Sequence, residues 1–280
     1  MGHPQALQIA IDGPAGAGKS TVARKLADHL GYLYIDTGAM YRASTWLALK
    51  NNVALDDGDV IAALASNSNI QLKPADESSD GKIRVFVDGA ESTREIRTQR
   101  MYELTAGIAA LGKVRAVLVD KQRILAREGY CVIDGRDIGT VVMPDAGLKV
   151  FLTASPEERA RRRQIELAAQ GETPNFEDLL KAINERDYLD CNRAVSPLMQ
   201  AVDAIELITD NMTIDDVVLA LEKMAKEAFQ PSPAPVSRSH ERGSDSFQEI
   251  LEVQEIQDMR EVQDMHEVHD MREFQEPQEV

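Results

Sequence analysis

The stretch GPAGAGKS, residues 13–20, satisfies the pattern G-x-x-x-x-G-K-[ST] in full and leaves little freedom in what surrounds it. A loop of this kind cradles phosphates when a strand feeds into it and a helix leaves it. Both are present: the apolar run LQIAID at 7–12 precedes it, and a helix-forming run opens on Lys19. Gly13, Gly16 and Gly18 permit a tight loop through Pro14, Ala15 and Ala17 with its backbone N–H groups turned inward, and the helix N-terminus adds positive potential. Lys19 reaches the outer phosphates of a nucleoside triphosphate, Ser20 offers its hydroxyl to magnesium, and Thr21 follows in the first helical turn. GTPases, transport ATPases and small-molecule kinases share such a loop, so it sets the ligand class and leaves the reaction open.

Up to about residue 230, short apolar, β-branched runs alternate with longer helical patterns, which predicts an α/β fold built on a mainly parallel sheet. The five candidate strands are 7–12, 32–36, 130–134, 148–154 and 204–209. One stretch breaks the rhythm. Residues 70–92 alternate with period two on both sides of a polar turn and predict an antiparallel hairpin inserted into the α/β core.

The formal charge of −16 looks hostile to nucleic acid, but 13 acids against 4 basic residues sit in 231–280, so the rest of the chain is only mildly acidic. That segment opens Pro- and Ser-rich, as a linker does. From Glu249 to Glu279 every third residue is acidic, and each is followed by an apolar residue, Pro277 being the one interruption of kind. A step of three turns 300° around a helix, so no apolar stripe forms, and the expectation for 231–280 is a disordered, low-complexity tail. No basic stretch leads into an apolar run near Met1, and no apolar run approaches bilayer length, so the expectation is a cytoplasmic protein with no membrane or nucleic-acid partner. Cys131 and Cys191 have neither metal-ligand spacing nor a disulfide pattern and read as structural thiols.

Other charged motifs fall where strands end, the edge at which open α/β sheets bind ligands. IDTGAMYR at 35–42 brings Thr37 and Arg42 there, and IDGRDIGT at 133–140 brings Asp134, Arg136 and Asp137. SPEERARRR at 155–163 crowds Arg159, Arg161, Arg162 and Arg163 after the fourth strand, as a lid over a phosphoryl-transfer site would need. In ERDYLDCNR, Arg186, Asp190 and Arg193 stand at i, i+4 and i+7, which predicts one helical face. No N-K-x-D guanine-reading motif and no L-S-G-G-Q-like transporter signature occurs, which disfavours switches and motors.

Taken in order over about residues 7–228, GPAGAGKST, DTGAMYR, EIRT, the VR at 114–115, DGRDIGT and ERDYLDCNRAVSPL resemble the bacterial cytidylate kinases, including the type with an antiparallel insertion. The resemblance implies a P-loop nucleoside monophosphate kinase fold: a five-stranded parallel sheet flanked by helices, an acceptor-binding part at about 37–110 and an arginine-rich lid at about 155–172, all within a kinase domain of 1–230. It implies transfer of the γ-phosphoryl of ATP to CMP and dCMP with Mg2+, in pyrimidine nucleotide metabolism; separately, the expectation is a monomer. Thr37, Arg42 and Arg136 would hold the CMP phosphate, Arg186 and Asp190 the ribose, and Arg115 with Asp137 the base. Cytosine presents an exocyclic amine that a carboxylate accepts from, whereas uracil presents an oxygen there. Lys19, Arg136 and Arg193 would act at the transferred group, Arg159 and Arg163 would close over ATP, and Asp134 would orient magnesium-bound water. Where family members often carry a serine that touches the base, this chain has Ala106. Two other readings stay open: a UMP/CMP or other small-molecule kinase of the same fold, and a nucleotide-sensing protein that recruits a partner through its tail.

Overall fold

A computed structural model describes residues 7–229 apart from 77–82, 128 and 170. The expected tail at 231–280 lies outside the described residues. Five parallel strands, β1 (Gln8–Asp12), β2 (Leu33–Asp36), β6 (Cys131–Gly135), β7 (Leu148–Thr153) and β8 (Ile205–Ile208), form one sheet in the order β2-β6-β1-β7-β8. They are the five that the sequence marks. The loop-bearing strand β1 is central, and its run of Ile and Ala is buried on both faces, as an interior parallel strand must be.

Side chains alternate across that sheet. Ile9 and Ile11 pack with α1 (Lys19–Leu30) and α8 (Ile214–Ala228), while Ala10 faces the opposite layer with Ile133 and with Val119 of α5 (Gly112–Ala126). A second core, around Met40, Ile61, Val85 and Leu118, joins α2 (Thr37–Lys50), α3 (Gly58–Asn67) and α5 to the inserted strands. The chain then passes through α4 (Gln99–Ala110) back to the main sheet, and α6 (Pro156–Ala169) and α7 (Phe176–Asn192) follow β7.

The insertion has three strands where the sequence predicts two. β3 (Ile70–Lys73) pairs antiparallel with β4 (Arg84–Val87), and β4 pairs again with the two-residue β5 (Ala90–Glu91). The second turn is Asp88-Gly89, both with positive φ (52° and 77°), as a two-residue hairpin of matching twist demands.

Strand register decides what meets at the sheet's carboxyl edge. Asp12 of β1 lies level with Gly135 of β6, and Asp36 of β2 lies level with Asp134. Gly13 then turns with φ 149°, and a Cβ there would fall 2.0 Å from the Leu152 carbonyl oxygen. Gly13→Ala is therefore expected to cost about 3 kcal/mol or more in urea unfolding, from strain and overpacking together.

Candidate active site

The phosphate loop is braced from both ends. Lys19, first residue of α1, is 5% exposed and donates its Nζ to the Pro14 carbonyl at 2.6 Å. Burial first, then the charge of Arg136, lowers its pKa to about 7, so an arriving anion would restore its full charge. On α6, Arg159 is 3% exposed and donates to the loop carbonyl of Ala15 (3.0 Å), to Ala154 O (3.0 Å) and to Asp187 Oδ2 (2.6 Å). Arg162 reaches Ala17 O at 3.4 Å and the Thr209 carbonyl at 2.6 Å. Arg163 points elsewhere, to Glu166 Oε2 and to Gln99 Oε1 of α4, both at 2.7 Å.

Beside the loop, Asp134 gathers hydroxyls. Ser20 Oγ donates to its Oδ2 and Tyr34 OH to its Oδ1, each at 2.8 Å, while Thr37 Oγ1 donates to its backbone carbonyl at 2.7 Å. Burial, and secondly the neighbouring carboxylate of Asp36, raise the Asp134 pKa to about 6. Asp36 caps α2 by accepting from Ala39 N at 2.8 Å and also accepts from Arg42 Nη2 at 3.1 Å. A hydroxyl and one carboxylate are hard oxygen donors that suit Mg2+, which keeps several waters and is otherwise bound by one or two carboxylates and substrate phosphates. Ser20 and Asp134 are the residues that would hold it.

Across β6 lies a denser cluster. Arg115 (2% exposed) and Asp137 form a buried ion pair, and Arg193 Nη2 stands 3.7 Å from the other Asp137 oxygen. Asp190 accepts from Arg136 Nε (3.0 Å) and Arg186 Nε (3.2 Å), with Arg193 at 4.0 Å. Burial works to raise the Asp190 pKa, but the Arg136 and Arg186 guanidinium groups prevail and hold it below the usual carboxylate range. The backbone after Asp137 is anchored by Asp12, whose two oxygens accept from Ile138 N (2.8 Å) and Gly139 N (2.7 Å). One expectation needs correction: α7 ends at Asn192, and Arg193 is extended (φ −64°, ψ 142°), so only Arg186 and Asp190 share the helical spacing. Arg193 still joins the cluster because the turn after the helix, where its Nε bonds to Ser196 O, swings it back.

Several buried polar atoms here have no hydrogen-bond partner: Tyr41 OH, Arg42 Nε, Arg115 Nε, Arg193 Nη2 and Asp187 Oδ1. Orphaned polar atoms each cost about 1–3 kcal/mol, and a group of them beside a phosphate loop signals a polar ligand. Asp12, Tyr34, Asp36 and Asp187 enter the site without having been singled out in the sequence. So does Arg97, whose guanidinium donates to the carbonyls of Ile83 (3.0 Å) and Thr93 (3.3 Å). It stands in the quoted EIRT motif, which was its one available signal.

A family model for cytidylate kinase matches residues 9–227. The chain belongs to the cytidylate kinase family. A cytidylate kinase from Exiguobacterium sp. (strain ATCC BAA-1283 / AT1b) is 48% identical over 223 residues, covering 80% of this chain and 98% of that one. Another, from Desulforamulus reducens, is 52% identical over 210 residues, covering 75% and 92%. A bifunctional pantoate ligase/cytidylate kinase from Trichormus variabilis is 51% identical over 210 residues; the match covers 75% of this chain and 39% of that longer protein. Among the described residues no helix is long and apolar enough to cross a membrane.

Proposed function

We propose that this cytidylate kinase family member transfers the γ-phosphoryl group of ATP to CMP and dCMP, yielding ADP with CDP or dCDP. The observation that carries the reading is the buried Arg115–Asp137 pair, tied through Asp12 to the strand that bears the phosphate loop. A carboxylate has about four lone-pair sites, so Asp137 retains capacity for the cytosine amine while it pairs with arginine. Arg42, Arg136 and Thr37 hold the acceptor phosphate, with Arg97 nearby, and Arg186 and Asp190 take the ribose.

An acceptor phosphate oxygen, already anionic, attacks the γ-phosphorus as the bond to the β-bridging oxygen breaks. No strong base is required, so the protein supplies alignment and positive charge. Lys19 follows the outer phosphates and Arg193 meets the charge shared by the transferred oxygens. Arg159, already on the loop, and Arg163 close the site against water, which limits wasteful hydrolysis of ATP. Bound Mg2+ neutralises the negative charge of the ATP phosphates; Ser20 and Asp134 would hold it. The kinase domain spans 1–230, and 231–280 carries none of these groups.

An acceptor panel tests the assignment. Coupled assays with CMP, dCMP, UMP and AMP are expected to give the highest kcat/KM with the two cytosine nucleotides. Equal rates with UMP would remove the base-reading role from Asp137 and favour a UMP/CMP kinase.

A further inference from the structure

Tyr102 of α4 touches three of the arginines just described, which come from three different helices. Its ring centroid lies 5.0 Å from the guanidinium carbon of Arg42 (α2) and 5.8 Å from that of Arg163 (α6), and its carbonyl accepts from Arg186 Nη1 (α7) at 3.3 Å. Gln99, one helical turn earlier on the same face, receives Arg163 Nη2 at 2.7 Å. α4 thus offers the lid a two-point seat, a side-chain amide and a ring, and the ring is shared with the acceptor side.

The chemistry of the contact matters. An aromatic face attracts a guanidinium while leaving its in-plane N–H donors free, whereas each carboxylate partner consumes donors. Arg42 shows the result: Asp36 takes Nη2, the ring lies against the guanidinium, and Nε is buried without a partner. Two guanidinium groups near one ring also repel each other, and an anion arriving at Arg42 offsets that repulsion. Binding of the acceptor phosphate and seating of Arg163 then favour each other.

We propose that Tyr102 is a positioning residue that couples the two substrate sites: it holds Arg42 with donors free for the acceptor phosphate, and the same ring draws the lid arginine Arg163 over the donor. The proposal rests on the phosphoryl-transfer reading above. Tyr102 is 39% exposed, so replacing it leaves the core intact and separates this role from a structural one.

The test uses the full-length protein and its Tyr102→Phe and Tyr102→Leu variants, with Tyr102→Met as a second non-aromatic replacement should the leucine variant fold poorly. KM for CMP and kcat are measured at saturating ATP. The affinity of β,γ-imido-ATP, which cannot transfer its phosphoryl group, is measured with and without CMP. Phenylalanine, which keeps the ring face, is expected to stay within about twofold of wild type. Leucine is expected to raise KM for CMP about tenfold, the order of magnitude of two cation–ring contacts, and to abolish any tightening of the ATP analogue by CMP. An active wild type with an unaltered leucine variant overturns the proposal alone, as does a phenylalanine variant damaged as much as leucine. A wild type that leaves CMP unphosphorylated removes the underlying reading and the proposal with it.

Discussion

Lys19→Ala is expected to retain about a thousandth or less of wild-type turnover, read as the single-turnover rate at saturating ATP and CMP. The Lys19 ammonium is buried at the N-terminus of α1, and its field is not replaced by the solvent that the loop excludes. Losing one preorganised charge at a developing anion costs about a hundredfold to a thousandfold, and more where the group also binds the ground state. Alanine is the best helix former, so α1 persists and the loss is not one of folding. Stability is expected to move the other way. Burial places the folded pKa of Lys19 near 7, below its unfolded value of 10.5, so its charge costs stability in full below about pH 7, and the cost fades as pH rises toward 10.5. At pH 7 the ligand-free variant should melt no lower than wild type. Turnover above a tenth of wild type would take Lys19 out of the reaction.

The central strand and the loop were legible because a fully buried parallel strand must be continuously apolar, and QIAID followed by glycines has few other uses. The period-two insertion was legible for the same kind of reason; β5 is two exposed residues with no periodicity, and its one sequence signal is the Asp88-Gly89 dipeptide of a two-residue hairpin turn. The acidic strand ends were harder. Asp12 and Asp36 look like ordinary strand terminators until non-local register sets Asp36 beside Asp134 and Asp12 beneath the turn that carries Asp137. In the lid, Arg162 and Arg163 follow Arg159 at i+3 and i+4, so periodicity cannot separate them. The orientation of α6 does, sending Arg162 to the phosphate loop and Arg163 to Gln99. Arg193 shows the converse, a residue whose helical spacing suggested the right neighbourhood although the helix stops one residue short of it.

Asp137→Asn is expected to raise KM for CMP about tenfold to hundredfold while KM for ATP shifts less than about twofold. The asymmetry follows from where the backbone is held. Ile138 and Gly139 are fixed by Asp12, so the turn keeps its path when the Asp137 side chain changes, and the phosphate loop on the next strand is undisturbed. On the proposed assignment, what changes is the base edge. A carboxylate accepts from the cytosine amine, and an amide in its place can instead donate to the uracil oxygen, a swap worth about 1–3 kcal/mol of discrimination. The CMP preference over UMP should shrink by a comparable factor. The same substitution leaves the buried Arg115 without its anion and Arg193 with Asp190 alone, and breaking such an arrangement costs about 3–5 kcal/mol, so the melting temperature should fall with it. Steady-state KM values and the CMP/UMP ratio, taken below that melting temperature, separate the two effects, because a general loss of structure would raise both KM values together. A variant that loses ATP affinity and keeps its CMP affinity would reverse the assignment of the two sites.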